Sequence, residues 1–138
     1  MREGWLGDDY LVFFSGSEIS SATDKYGFET LLPGFEVLGL RGWDDLVVRD
    51  GAGKCFSIPT VPMDPRLSRS VQIPPAQTEL EQDSRCLGKI KCYTKPVAFG
   101  GDPGVRENRG LVTHEEHLKL VRFWNEKYRQ PNGRNVNR

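Results

Sequence analysis

The sequence contains few cysteines and no long hydrophobic segment. Its three cysteines are an odd number without CxxC spacing, which favours a reduced, cytoplasmic protein over a disulfide framework. No stretch approaches the roughly 18 consecutive apolar residues that a membrane-spanning helix needs. The first residues also lack the apolar centre of a signal peptide. We therefore expect a cytoplasmic protein that neither crosses nor binds a membrane.

Net charge is also absent. The chain has 19 Lys and Arg against 19 Asp and Glu, so no overall positive field attracts nucleic acid, and we expect no direct binding to it. The charges are unevenly distributed along the chain. Residues 1–85 carry 8 basic and 14 acidic side chains, whereas residues 86–138 carry 11 basic and 5 acidic ones. The two halves either form separate faces or interleave. The length of 138 residues suits one folded domain spanning 1–138.

Apolar and β-branched runs in the first half of the chain predict an antiparallel meander. Strands are predicted over residues 10–14, 35–40, 46–49 and 54–58. The Asp-Gly-Ala-Gly segment at 50–53 predicts the hairpin turn between the last two strands, because glycine supplies the positive φ that such turns need. Ser15 is a candidate N-cap for a short helix that ends at Gly27.

The second half of the chain predicts an extended arm, further strand structure and a terminal helix. Five prolines at 59–83 each remove a backbone donor. This segment therefore predicts an arm that crosses the surface, with an edge strand near 71–73, and a disordered loop is the alternative. Residues 89–99 predict a strand pair or one long strand. Thr113 and Glu116 have the spacing of a capping box at the start of the last helix.

The sequence gives no positive signal for catalysis or metal binding. His114 and His117 are the only histidines. They are three positions apart, whereas a zincin helix needs four and a third ligand elsewhere. We expect His117 to face the core and His114 to be exposed beside the helix cap. The Gly100-Gly101-Asp102 segment lacks the Lys-Ser/Thr of a phosphate-binding loop. We therefore predict no catalytic residue, no metal and no cofactor.

Trp43 is the strongest candidate for a binding residue. A tryptophan in a glycine-flanked turn is either buried in the core or an exposed anchor at a protein interface, where Trp, Tyr and Arg are enriched. The acidic residues beside it either shape the turn or belong to a binding surface. We predict a partner-binding surface formed by Trp43 and five carboxylates: Asp8, Asp9, Asp44, Asp45 and Asp50.

Three short segments of the first half resemble the SMI1/KNR4 (SUKH) superfamily. They are Leu32-Pro-Gly-Phe-Glu-Val-Leu-Gly39, Gly42-Trp-Asp-Asp-Leu-Val-Val-Arg-Asp50 and Gly53-Lys-Cys-Phe-Ser-Ile-Pro-Thr-Val-Pro62. The likeness covers about residues 9–64, and the proline-rich arm at 59–83 and the strand and helix within 86–130 complete the single domain. The glycine-rich turn of the family is replaced here by residues 42–45, so a site at this turn is rebuilt.

The resemblance implies an α+β domain with a curved antiparallel sheet, helices packed against it and no enzymatic activity. Bacterial members of the superfamily are often immunity proteins, which bind a toxin in the cytoplasm, whereas eukaryotic members are scaffolding or signalling proteins. We expect a non-enzymatic domain of the bacterial type that binds and neutralises a cognate toxin. Its carboxylates suit a basic partner such as a nuclease. The alternatives are a scaffold or regulatory adaptor, or a small metal-dependent hydrolase that uses Asp44, Asp45, Asp102 and the helix histidines.

Overall fold

An antiparallel sheet of six strands forms the centre of the molecule. In a computed structural model that describes residues 1–43 and 45–130, the strands lie in the sheet in the order of the chain. They are β1 (Arg2–Leu6), β2 (Asp9–Phe13), β3 (Glu36–Arg41), β4 (Asp45–Arg49), β5 (Cys55–Pro59) and β6 (Arg69–Ser70). The predicted antiparallel meander is thereby confirmed, and β1 is a strand that the sequence pattern did not predict.

The α-helices begin where the sequence places capping residues. Helix α1 (Gly16–Lys25) follows Ser15, whose backbone N–H donates to the Glu18 carboxylate at 2.7 Å. Helix α2 (Phe28–Leu31) starts directly after Gly27, which has a left-handed φ of 80° and turns the chain sharply. Helix α3 (His114–Arg129) has the predicted capping box between Thr113 and Glu116, with hydrogen bonds of 3.0 and 3.1 Å. These local signals fix the helix starts.

One face of the sheet packs against the helices and forms the main core. Tyr10, Val12 and Phe14 alternate onto this face, and all three are buried. They are joined there by buried residues of other elements: Tyr26, Phe28, Val37, Leu40, Leu46, Val48, Ile58, Leu118 and Val121. At Gly39 a Cβ would lie 2.0 Å from the Val12 carbonyl oxygen, so only glycine lets β2 and β3 approach here.

The proline-rich arm leads from one edge of the sheet to the other. Residues 71–74 line a groove with Leu11, Phe13 and Val47, on the face of the sheet away from the main core. At the far edge the arm pairs with β1. The backbone N–H of Trp5 donates to the Glu81 carbonyl at 2.8 Å, and the backbone N–H of Glu81 donates to the Trp5 carbonyl at 3.1 Å. The predicted edge strand near 71–73 is found two residues earlier, as β6.

A second, two-stranded sheet consists of β7 (Ile90–Tyr93) and β8 (Arg109–Val112), which are antiparallel. Residues 89–99 form neither a strand pair nor one long strand, because β7 has only four residues and a short 3-10 helix (Val97–Phe99) follows Pro96. The partner strand comes instead from beyond a loop. Asn108 closes this loop by accepting from the Lys95 N–H at 2.8 Å and donating to the Lys95 carbonyl at 3.0 Å.

Candidate functional site

A cleft of about 550 Å³ opens between the small sheet and one end of the large sheet. Its walls come from β1, from the turn between β3 and β4, and from β7 and β8. Its lining includes aromatic, cationic and apolar side chains: Trp5, Trp43, Lys91, Arg106, Arg109 and Leu111. We refer to it below as the cleft. Its size is that of sites which accept small molecules or the side chains of a binding partner.

Strand alternation builds the first wall of the cleft. In the sequence Ile-Lys-Cys-Tyr of β7, Ile90 and Cys92 are buried, so Lys91 points to the opposite face, toward the cleft. On β8 the residue paired with Lys91 is Leu111, and the residue paired with Tyr93 is Arg109. Cross-strand partners share a face, so a basic, partly apolar wall follows from the register.

Two tryptophans form the second wall. Trp5 packs edge-on against Tyr10 with ring centroids 5.2 Å apart, and its indole Nε1 donates to Asp83 at 3.2 Å. Trp43 lies nearly parallel to Tyr93, with centroids 6.2 Å apart and an interplanar angle of 20°. Both indoles are half-buried. Trp43 therefore combines the two alternatives of a core residue and an exposed anchor. Its ring packs against Tyr93 and also lines the cleft.

Lys91 is the central cation of the cleft. Its amino nitrogen lies 4.1 Å from the ring centroid of Trp5, 5.0 Å from that of Trp43 and 5.2 Å from that of Tyr10. The guanidinium carbon of Arg109 lies 5.8 Å from the Trp43 centroid. Cations at these distances are attracted to the negative faces of aromatic rings. The rings thus hold the positive charge in place without neutralising it.

Asp83 is the one carboxylate that lines the cleft within the described part of the chain, and it already has partners. It forms an ion pair with Arg85, with 2.9 Å between Nη2 and Oδ2, and accepts the Trp5 hydrogen bond. The Arg85 hydrogen bonds, followed by that of Trp5, hold the pKa of Asp83 well below its usual range. Beneath Trp5, the buried Tyr10 hydroxyl donates to Glu3 at 2.7 Å, and burial raises the pKa of this tyrosine.

The predicted acidic residues are divided between the two ends of the large sheet. Asp8 is exposed in the turn between β1 and β2, and Asp9 forms an ion pair with Arg41 at 3.1 Å. Asp45 begins β4 opposite Arg41, and burial raises its pKa. These positions lie at the same end of the sheet as Trp43.

One described acidic residue of the predicted surface, Asp50, does not join this group. Asp50 lies at the other end of β4, where its carboxylate accepts from the backbone N–H groups of Ala52 and Lys54, both at 2.9 Å. It shapes the hairpin turn and is distant from Trp43 by the length of a strand. Asp44 lies outside the described residues. The structure therefore collects Trp43, Asp8, Asp9 and Asp45 at one end and separates Asp50 from them.

The cationic residues of the cleft were not identified from the sequence. Lys91, Arg106 and Arg109 lie far from Trp43 in the chain, and only the fold brings them to it. Two signals point toward them. One is the excess of basic residues after residue 85, and the other is the alternation in β7, which predicts that Lys91 and Tyr93 share a face.

The two histidines are used in packing. His117 is buried, as expected, and its Nδ1 is hydrogen bonded to the Tyr26 hydroxyl at 2.7 Å. His114 is not exposed as expected, because its ring stacks on Phe14 with centroids 4.9 Å apart. Burial lowers the pKa of both. Among the described residues, no group of three or more His, Cys, Asp or Glu side chains could hold a metal ion.

The chain was compared with known proteins at the levels of family, sequence and structure. No family model, no curated protein and no solved structure matches it. The resemblance to the SUKH superfamily therefore stays a prediction. Within residues 1–43 and 45–130, no helix has the length and apolar character to cross a membrane.

Proposed function

We propose that this chain is a non-enzymatic protein-binding domain and that the cleft is its binding site. The observation that carries the proposal is the open cleft with two half-buried tryptophans among four cationic side chains. Tryptophan, tyrosine and arginine are the residues that contribute most to protein interfaces. An indole that is already packed on one side also loses little conformational freedom when a partner covers the other.

Toxin neutralisation is the biological role that we assign to this binding. It rests on the short SUKH-like segments at 32–39, 42–50 and 53–62. The second of these segments contains Trp43, so the part of the chain that resembles the superfamily also contributes one of the two tryptophans of the cleft. An adaptor would use the same cleft without inhibiting its partner. The two roles are therefore distinguished by the partner's activity and not by binding.

Site-specific photo-crosslinking in the cells that produce the protein tests the binding site. A photoreactive amino acid at Leu111, which is 39% exposed in the cleft, should crosslink to one partner protein. The control position is Leu67, which is 45% exposed near the edge strand β6 and does not line the cleft. A protein captured equally from both positions, or none captured from Leu111, would contradict the proposal.

The captured partner then decides between toxin neutralisation and an adaptor role. Expression of an immunity protein's partner alone should stop growth, and co-expression of this chain should restore it. Trp43→Ala should abolish the rescue while the domain remains folded by circular dichroism. A partner that is harmless when expressed alone would favour the adaptor.

A further inference from the structure

The charge of the cleft is unbalanced. Among residues 1–43 and 45–130, four cationic side chains line it, and the single carboxylate that does so is paired with one of them, Arg85. The other three, Lys91, Arg106 and Arg109, form no ion pair with any residue of 1–43 or 45–130. Among those three, Lys91 is half-buried between two indoles. A positive charge that is partly removed from water without a counter-ion is unfavourable unless a ligand supplies one.

The surroundings of Lys91 favour a carboxylate as that counter-ion. The aromatic rings of Trp5, Trp43 and Tyr10 exclude part of the solvent around its amino group. An ion pair formed there is screened less than one on an open surface. The ammonium group has three donors, and the rings are weak acceptors that leave them available to an incoming anion.

Hydrogen bonds fix the side chain of Arg109 in the same cleft as Lys91. Its Nε and Nη2 atoms donate to the Pro103 carbonyl at 3.1 and 3.0 Å, and its guanidinium faces Trp43. A cation fixed in this way loses little side-chain entropy when it binds. Leu111, opposite Lys91 on β8, adds an exposed apolar surface between the cations. The cleft thus offers two cationic positions with apolar and aromatic contacts between them.

We propose that the segment of the partner which enters the cleft is acidic, with a carboxylate bound by Lys91 between the indoles and a second one bound near Arg109. This assignment rests on the proposed function and names the chemistry of the partner. It differs from the expectation, drawn from the sequence, that carboxylates around Trp43 receive a basic partner. Asp9, which was one of those carboxylates, is already paired within the domain.

A protein segment fits this site better than a nucleic acid strand. The positive potential is local, because Asp8, Asp9 and Asp45 lie at the same end of the sheet and the chain as a whole is neutral. A strand with a phosphate at every nucleotide would extend from the cleft over these carboxylates and be repelled by them. A short acidic segment with an apolar side chain places its charges only where the cations are.

Selection from a random displayed-peptide library against the intact chain tests the assignment. The selected peptides should be enriched in Asp and Glu next to an aromatic or aliphatic residue. Lys91→Glu should weaken their binding at least about tenfold, and Lys91→Met should weaken it by a smaller factor. The matched control is Lys54→Glu, which makes the same charge change at an exposed residue after the β4–β5 turn, at the far end of the sheet. It should leave affinity unchanged within about twofold.

Each alternative result overturns the assignment and has a separate meaning for the proposed function. Peptides without acidic enrichment, or peptides that bind Lys91→Glu as tightly as the natural chain, contradict the acidic segment. The proposed function survives if such peptides still compete with the partner crosslinked from Leu111. If no peptide is selected, and an oligothymidylate quenches tryptophan fluorescence in the natural chain but not in Lys91→Glu, both proposals are wrong. If neither probe binds, the acidic segment is likewise wrong.

Discussion

Two regions of this molecule differ in whether their polar side chains have partners within the domain. In the buried region around α3, the Asn125 side chain is 1% exposed and makes three hydrogen bonds. Its oxygen accepts from the Met63 N–H at 2.7 Å, and its nitrogen donates to the Thr60 and Val121 carbonyls, both at 2.8 Å. Each polar atom of the Asn125 side chain thus has its partner within the domain.

The cleft shows the reverse arrangement. Lys91 and Arg109 face aromatic rings, and no carboxylate of the described part of the chain pairs with them. Buried polar groups that support a fold are hydrogen bonded, because an unmatched group lowers stability. We expect groups left without counter-ions beside an open cleft to contribute to binding rather than to folding. Substitutions in the two regions should therefore separate stability from affinity.

The largest effect on stability is expected at Asn125. Asn125→Ala removes three hydrogen bonds and leaves the Met63 N–H and the Thr60 carbonyl without this partner in the interior. We expect the free energy of unfolding to fall by about 3 kcal/mol. Urea denaturation measures the change, with the exposed neighbour Glu126→Ala as control, which should shift it by less than about 0.5 kcal/mol. A loss below about 1 kcal/mol at Asn125 would remove the contrast between the two regions.

The buried region should also make stability depend on pH. Burial lowers the pKa of His117 from 6.5 to about 3. Between these values the unfolded chain binds a proton that the folded chain does not, so the free energy of unfolding falls as the pH falls. The loss from pH 6.5 to pH 5 should be about 2 kcal/mol. His114 contributes in the same direction, because burial lowers its pKa too.

Replacement of the buried histidine isolates its part of that dependence. His117→Gln keeps a hydrogen-bonding side chain beside Tyr26 but does not titrate. Its free energy of unfolding should change much less between pH 6.5 and pH 5 than that of the natural chain, although the variant is less stable throughout. Denaturation curves at both pH values give the comparison. An unchanged pH dependence in the variant would assign it to other groups.

Much of the fold could be predicted because its signals are local. The strands β2 to β5 have short apolar runs separated by turn residues, and α3 has a capping box followed by an apolar stripe. Strand β1 was missed because its sequence, Arg-Glu-Gly-Trp-Leu, has charged and glycine residues where apolar ones are expected. Its Glu3 is nevertheless buried, since the Tyr10 hydroxyl and the Gly88 N–H both bond to it. Contacts of this kind involve distant parts of the chain.

The candidate site was only partly predictable for the same reason. Trp43 was found from its turn, but the cations around it depend on the pairing of β7 with β8 across a loop of more than ten residues. Asp45 was predicted because it lies close to Trp43 in the sequence, and Asp9 because it belongs to the acidic first half of the chain. Their neighbour in space is Arg41, which lies opposite Asp45 and forms an ion pair with Asp9. Sequence proximity thus led to Trp43, which lines the cleft, but not to the cations around it.

A smaller effect on stability is expected at Trp43, together with a large effect on binding. Its ring is half-buried and contacts Tyr93, Lys91 and Arg109. Trp43→Ala should lower the free energy of unfolding by about 1 kcal/mol, well below the usual loss for a fully buried tryptophan. Binding of the partner captured from Leu111 should weaken at least about tenfold. A stability loss of about 3 kcal/mol or more would place Trp43 in the core instead.

The smallest effect on stability is expected at Lys91. This prediction is the most direct test of the difference between the cleft and the buried region around Asn125. Lys91→Met retains a flexible apolar side chain between Trp5 and Trp43 and removes only the charge. Loss of the cation–π attraction is offset by easier burial of methionine, so the free energy of unfolding should change by about 0.5 kcal/mol in either direction. Urea denaturation of Lys91→Met and Asn125→Ala under identical conditions provides the measurement. A decrease at Lys91 as large as that at Asn125 would mean that the cation supports the fold, and the argument that it awaits a partner's carboxylate would fail.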